Sequence, residues 1–362
     1  MRGRPGVNRG TAVGADRKTI DIAMTKRDVT KQILMGSEEG GKTYQFNDAH
    51  DPNQPAQLWF QESDEGLILF VVFYTQACRW SRCLGCNLPS LCALDYVDYR
   101  SIINQIDHLF SDREVTARGG EIRKLIVSNN GSVLDEATFS STALMYLMAR
   151  INLNLPNLNT LCLETRPEYV DLPELEFLAR SLTEGDTPTK MELAVGFEAF
   201  DDRIRNDVFH KGLDLEVFER FIGNVARYEY RVKTYFMQKP VPHMTDEQAV
   251  ADIQQAIDYL AGMSDRYGVK INMHLNPTYA ARGTFLAESF QKGDYSPPRL
   301  LDVARAALHA KGTPLSIFLG LFDEGLAVPG GGFVRKGEER LVEEMERFNR
   351  TRDYHILQAL VE

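Results

Sequence analysis

The sequence predicts an α/β protein whose parallel sheet curls into a partial (β/α)6, TIM-like barrel with N- and C-terminal extensions. Three observations predict it. Strand and helix patterns alternate six times between residues 67 and 310. The first strand, residues 67–74 (LILFVVFY), is continuously apolar, the pattern of a strand covered on both faces. Serial β-α units imply one parallel sheet with right-handed crossovers, and six units fall two short of a closed eight-stranded barrel.

The elements follow in order. A helix over 101–110 places Ile102, Ile103, Ile106 and Leu109 at helical spacing. Further strands are predicted at 124–128 (KLIVS), 159–164 (NTLCLE), 191–198 (MELAVGFE), 231–237 (RVKTYFM) and 269–275. Helices over 138–151, 172–182, 215–228 and 300–310 alternate with them. The helix after the fifth strand opens with Thr245 and Gln248 at capping-box spacing, and Ala249, Val250, Ile253, Ala256, Ile257 and Leu260 form its apolar face. Residues 315–320 suggest an extra strand. Gly119, Gly120 and Glu121 precede the second strand, so they read as a turn on the face away from the strands' C-terminal ends.

Residues 1–40 are polar and glycine-rich and predict a flexible extension with one helix near 27–35. Residues 41–310 form the predicted barrel and 311–362 a C-terminal extension packed on it. Within that extension, Gly330, Gly331 and Gly332 read as a lid or a flexible turn. Residues 336–352 (KGEERLVEEMERFNRTR) read as a solvated helix packing on the barrel.

Composition narrows the function classes. Of 362 residues, 43% are apolar, enough for a large core. No run approaches the roughly 18–20 apolar residues of a membrane span. The basic start, MRGRPGVNRG, lacks the apolar segment of a secretory signal, so a cytoplasmic protein without membrane attachment is expected. The formal net charge of −10 is opposite to the basic surface typical of nucleic-acid binders. A local basic patch remains compatible with that total.

The chemistry is concentrated in the loop after the first strand, YTQACRWSRCLGCNLPSLC. Cys78, Cys83 and Cys86 have the spacing C-x4-C-x2-C, and Cys92 follows. An odd count of five cysteines, four of them clustered, points to metal or cluster binding rather than a secreted disulfide framework. Three thiolates can hold three irons of a [4Fe–4S] cluster, leaving the fourth iron for a ligand. The rival is a zinc site made by all four cysteines. Cys92 reads as a packed small hydrophobe or an auxiliary thiol, and Cys162, mid-strand, as core.

This loop on this scaffold resembles the radical S-adenosylmethionine (SAM) superfamily. The longer first gap is similar to members grouped with the catalytic subunit of Elongator. Gly85 replaces the aromatic residue usual before the last cysteine. Residues 129–139 (NNGSVLDEATF), 162–170 (CLETRPEYV), 195–213 (VGFEAFDDRIRNDVFHKGL) and 232–240 (VKTYFMQKP) resemble the strand-end segments of Elongator-like members. Residues 275–303 resemble segments of the radical SAM subunit of archaeosine synthase and its bacterial relatives.

The resemblance implies a [4Fe–4S] cluster on Cys78, Cys83 and Cys86, SAM as cofactor, and a flavodoxin- or ferredoxin-type electron donor. It puts Asn129, Asn130, Gly131 and Ser132 at the SAM amino group and Asn276 with Pro277 at the adenine. Glu164 and Arg166 suit the ribose or ammonium and the carboxylate of SAM, or an ion pair with each other. Glu198 suits a ribose or substrate contact; Gln238 and Lys239 close the fifth strand, where Lys239 suits an anion. Asn272, His274 and Asn276 alternate along the sixth strand and are expected to line the interior. The implied activity is hydrogen abstraction from an organic substrate. That substrate is either a tRNA base, reached directly or through a tRNA-binding partner, or a small metabolite. A non-catalytic iron–sulfur or zinc protein is the reading from another class.

Overall fold

The computed structural model describes residues 26–362; the rest of the predicted N-terminal extension lies outside them. The expected first helix is α1 (Lys26–Glu39). An antiparallel hairpin follows, β1 (Gln57–Ser63) with β2 (Gly66–Val72). Its turn ends at Gly66 with φ 98°, a conformation glycine adopts without Cβ strain. The pattern of residues 57–63 does not alternate cleanly, because this strand is half-buried along nearly its whole length. It was therefore invisible to the periodicity argument.

After the hairpin come α2 (Tyr99–Ser111), α3 (Arg113–Arg118), β3 (Ile122–Ser128), α4 (Ser141–Asn154) and β4 (Thr160–Thr165). Next are α5 (Leu172–Leu182), β5 (Lys190–Glu198), α6 (Leu215–Ala226), β6 (Arg231–Gln238) and α7 (Asp246–Tyr267). The chain ends with β7 (Ile271–Pro277), α8 (Phe285–Lys292), α9 (Leu300–Leu308), β8 (Ser316–Leu319), α10 (Glu339–Thr351) and α11 (Tyr354–Val361). The eight strands lie in sequence order, and every pair after β1–β2 is parallel. The expected half-barrel is present, with β8 as the anticipated extra strand and β1 as an added antiparallel edge. The glycines at 119 and 120 form the expected turn ahead of β3.

Local chemistry sets the helix starts. Thr245 and Gln248 make the reciprocal capping box of α7, and Gly268 ends that helix at φ 66°. α4 starts later than its apolar pattern suggests because Ser140 caps it, accepting from the Thr142 N–H.

The strands alternate between two environments. Leu125, Val127, Leu161, Leu163, Leu193, Val195, Val232, Phe236, Met273 and Leu275 point outward and are buried under the helices. Each contributes about 1.5–3 kcal/mol of burial. The concave face holds a smaller apolar cluster of Ile68, Phe70, Val72, Ile126, Cys162 and Ala194, which places Cys162 in the core as expected. Below it lies an ionic floor. Lys124 bridges Glu192 at 2.6 Å and Glu65 at 2.8 Å, and Arg231 pairs with the same two acids.

The open edges are closed by the C-terminal extension. Asn349 of α10 accepts from the Leu319 N–H at 2.8 Å and donates to the Leu319 carbonyl at 2.9 Å. Its own carbonyl accepts from the Asp64 N–H beside β1 at 3.0 Å. The helix expected to pack on the barrel thus buries Met345, Phe348 and Asn349 between the edge strands. The glycine run 330–332 is a tied turn: the Gly331 carbonyl accepts from the Ala280 N–H at 2.8 Å.

Candidate active site

The cysteine loop leaves the C-terminal end of β2, and its neck is pinched shut. Ala77 N–H donates to the Ala93 carbonyl at 2.9 Å, and Ala93 N–H to the Thr75 carbonyl at 3.0 Å. Cys78, Cys83 and Cys86 are partly exposed on the loop. Cys92 lies inside the neck, 1% exposed, with its thiol 3.7 Å from the carbonyls of Leu88 and Asn129.

Two flanks hold the loop. On one, Lys42 beyond α1 donates to the carbonyls of Cys83, of Leu84 at 3.0 Å and of Cys86 at 2.8 Å. A Cβ on Gly40 would stand 2.9 Å from the Arg82 carbonyl, so α1 and the loop touch backbone to backbone. On the other flank, the Trp80 indole donates to the His210 carbonyl at 2.7 Å and Leu84 N–H to the Phe209 carbonyl at 2.8 Å. The Arg166 guanidinium lies over the Trp80 ring, 4.6 Å from its centroid. A Cβ on Gly85 would meet Leu286 of α8 at 2.7 Å, so apolar packing fills the place where the family carries an aromatic.

The residues at 129–132 sit against this loop. A Cβ on Gly131 would lie 3.2 Å from the Cys78 Cα, so the two turns are in tight backbone contact that a side chain there would press apart by a few tenths of an ångström. Asn129 accepts from the Gly131 N–H at 3.1 Å, Asn130 adopts φ 57°, and Ser132 shares a 2.6 Å hydrogen bond with Thr165.

Glu164 and Arg166 are not partners. The Tyr235 hydroxyl donates to Glu164, and burial pushes that carboxyl above its usual range. Arg166 pairs with Glu168 and donates to the Lys211 and Gly212 carbonyls. Glu198, at φ 75°, pairs with Lys211 at 2.7 Å. Burial would lower the Lys211 ammonium, but Glu198 and then Cys83 hold it above its ordinary value. The fully buried Arg205 positions that segment through the carbonyls of Ala199, Phe200 and Leu213.

Lys239 turns to Asp246 at 2.7 Å and Ser296 at 3.3 Å, which gives it a counter-ion in the protein. Gln238 is fully buried, and both of its amide atoms lack a protein partner. Asn276 and Pro277 close β7, the Asn276 amide 3.5 Å from the Phe236 carbonyl. Asn272 and His274 are buried on the concave face as expected. Two further acids, Asp323 and Glu324, have no cationic partner among the described residues. Tyr279 donates to Glu324 at 3.0 Å.

Three partly exposed thiols on one loop fit the donor set of an iron–sulfur cluster. Among the described residues, no three His, Cys, Asp or Glu side chains converge on a single-ion site. A zinc ion draws its sulfurs to about 2.3 Å of one point, whereas a cubane spreads its ligands over separate corners. Burial raises the Cys83 thiol and pushes Cys86 up to about 12, with Lys42 opposing the Cys86 shift, so the thiols keep their protons until a metal displaces them.

Lys42, Trp80, Lys211, Tyr235 and the Tyr279–Glu324 pair were not singled out from the sequence. Lys211 and Tyr235 fall inside the family-like segments at 195–213 and 232–240. Lys42 lies in a polar stretch with no periodic or motif signal.

No protein-family model matches the chain. Archaeosine synthase subunit β of Methanosarcina acetivorans is 27% identical over 268 residues, 72% of each chain. An uncharacterized protein of Methanocaldococcus jannaschii is 23% identical over 318 residues, 85% of this chain and 84% of that one. A solved queuine lyase from Clostridium spiroforme, bound to SAM and queuine, matches with a TM-score of 0.45 and 14% identity over 72% of this chain and 94% of that one. The cysteine loop at the mouth of the half-barrel and the similarity to archaeosine synthase subunit β over most of both chains agree with the expected resemblance to radical SAM enzymes.

Proposed function

We propose that this enzyme cleaves SAM reductively and uses the resulting 5′-deoxyadenosyl radical to take hydrogen from an organic substrate. The observation that carries the reading is the packing of the 129–132 turn onto Cys78, on a loop presenting three partly exposed cysteines. When bound by Cys78, Cys83 and Cys86, a [4Fe–4S] cluster supplies the electron for SAM cleavage. Lys42 holds the loop's carbonyls. Asn129, Asn130, Gly131 and Ser132 offer backbone groups to the SAM amino group, and Glu164 and Glu198 line the mouth within reach of ribose or substrate. Arg166, engaged with the Lys211 and Gly212 carbonyls, steadies the loop after β5 beside the thiols. Asn276 and Pro277 provide the edge for adenine. The reductant is of flavodoxin or ferredoxin type.

Kinship with archaeosine synthase subunit β supports a tRNA-base substrate. The net charge of −10 supports a small metabolite, or a partner that brings the RNA. No helix among the described residues is long and apolar enough to cross a membrane.

Anaerobically reconstituted protein, incubated with SAM and dithionite, is expected to form 5′-deoxyadenosine, and Cys78→Ala, Cys83→Ala and Cys86→Ala to form none. Absence of the product from iron-replete wild-type protein sinks the reading. Gel shifts with bulk tRNA at low and raised salt decide between the substrates: salt-insensitive or absent binding removes a directly bound RNA.

A further inference from the structure

Tyr44 carries a buried hydroxyl to the cysteine loop, and among the described residues nothing accepts a hydrogen bond from it. The segment that bears it is clamped on two sides. Lys42, two residues earlier, donates to the carbonyls of Leu84 at 3.0 Å and Cys86 at 2.8 Å. Thr43 N–H donates to the Gly283 carbonyl at 3.0 Å. A Cβ on Gly283, which has φ 71°, would stand 2.7 Å from the Tyr44 nitrogen, so the loop between β7 and α8 presses on the Tyr44 backbone itself. The Tyr44 ring meets Phe46 edge-on with centroids 5.8 Å apart, and Phe46 packs on the apolar cluster of Val29, Ile33, Ala77 and Cys92. Backbone and ring are both held, and the hydroxyl has little freedom to turn elsewhere.

The polar group beside it is the hydroxyl of Ser37 on α1, which is 8% exposed and also lacks a partner of good geometry. Whichever hydroxyl donates to the other, the pair owns two O–H groups and one is left over. A buried donor left unmade costs about 1–3 kcal/mol, and a phenylalanine would fill the same space without that cost. The surroundings say what can accept. Burial first, and then the sulfurs of Cys86, Cys92 and Cys78, push the phenol above its ordinary value, with Ser37 opposing. The hydroxyl thus lies in the field of two of the cysteines assigned to the cluster, Cys86 and Cys78, whereas Cys83 is the one beside Lys211, Glu198 and Arg166. A protonated thiol is a weak acceptor. A thiolate bonded to iron carries negative charge and is a much better one.

We infer that Tyr44 is a positioning residue of the cluster: its O–H donates to the sulfur at the Cys86 corner when Cys78, Cys83 and Cys86 carry the [4Fe–4S] group, and Ser37 donates to the Tyr44 oxygen. The inference rests on the proposed cluster and adds to it a partner from outside the loop. Its consequence is electrical. Reduction places an electron on the cluster and makes its sulfurs better acceptors, so a donor held against one of them stabilises the reduced state and raises the midpoint potential. Residue 44 thereby sets how readily an external donor loads the electron that SAM cleavage needs.

Full-length wild type and Tyr44→Phe, reconstituted anaerobically and kept free of SAM, are titrated with dithionite and redox mediators and followed by the electron paramagnetic resonance of the reduced cluster. At the wild-type midpoint, Tyr44→Phe should show a reduced-to-oxidised ratio about tenfold lower, which for one electron is a midpoint about 59 mV more negative. In deuterium oxide, pulsed resonance on the reduced wild type should show an exchangeable deuteron coupled to the cluster that Tyr44→Phe lacks. That spectrum is read per reduced cluster, so it decides the matter even where the variant loads less metal. Equal midpoints, a midpoint moved upward, an unchanged deuteron spectrum, or a larger shift from Ser37→Ala than from Tyr44→Phe each overturns the inference. Neither measurement requires SAM cleavage. A wild type that loads its cluster but forms no 5′-deoxyadenosine therefore sinks the proposed reaction, whereas an intact cluster with an unshifted potential sinks this inference alone. A wild type that takes up no cluster overturns both.

Discussion

The Lys42 ammonium donates to the Cys86 carbonyl at 2.8 Å, and the carbonyls of Cys83 and Leu84 complete its ring of acceptors. One side chain from the N-terminal segment thus fixes the curvature of the C-x2-C turn. Lys42→Met removes the donor to three carbonyls beneath the loop, of which that of Cys83 keeps the Cys86 N–H at 3.2 Å, at about 2 kcal/mol. Anaerobic reconstitution should give less iron and sulfide per chain than wild type, while far-ultraviolet dichroism stays unchanged.

Cys92 sits among Val29, Ile33 and Ala77 in a small apolar cluster, and burial pushes its thiol up to about 12. A cluster on the other three cysteines does not need it. Cys92→Ala should keep the iron content and absorption of wild type at a stability cost of about 1 kcal/mol. Loss of metal from this variant, with zinc in the wild-type preparation, would show a four-sulfur site.

Burial pushes the Glu324 carboxyl up to about 7 from its ordinary 4.5, with the Tyr279 hydrogen bond opposing. The folded chain therefore binds this proton more tightly than the unfolded chain. Its contribution to stability is full below about 4.5 and is lost as pH rises through about 7. Thermal melts between those values should fall with pH for wild type and fall less steeply for Glu324→Gln.

Asn349 supplies both halves of a ladder pair to Leu319, so its amide replaces the missing next strand at the sheet edge. Asn349→Leu keeps the volume and orphans a buried N–H and C=O, which should cost about 2–4 kcal/mol. Hydrogen exchange should report the loss first at the Leu319 amide.

Much of this protein was legible in its sequence, where the signal was local. The apolar run after residue 66 marked β2 because a strand buried on both faces needs no alternation. The Thr245–Gln248 box marked the start of α7 because capping is settled within one turn. The cysteine spacing marked the loop at the barrel mouth because residues that could share one cofactor must be near in sequence or be brought together on one loop. Where burial depends on distant partners, sequence signals failed. The half-buried β1 and the two edges that α10 joins acquire meaning only once the sheet curls and its edges approach each other.

The sequence by itself determined the strand–helix series and the chemistry of the cysteine loop, since periodicity and ligand spacing are properties of a short stretch of chain. Only the tertiary structure decided which charges meet. It parted Glu164 from Arg166, gave Lys239 to Asp246, brought Lys124 to Glu65 and Glu192, and set Lys42 under the cysteine loop. The reason is physical: a polar contact forms within a few ångströms, and residues as far apart in the chain as Lys124 and Glu65 or Lys42 and Cys86 come that close only through the tertiary fold.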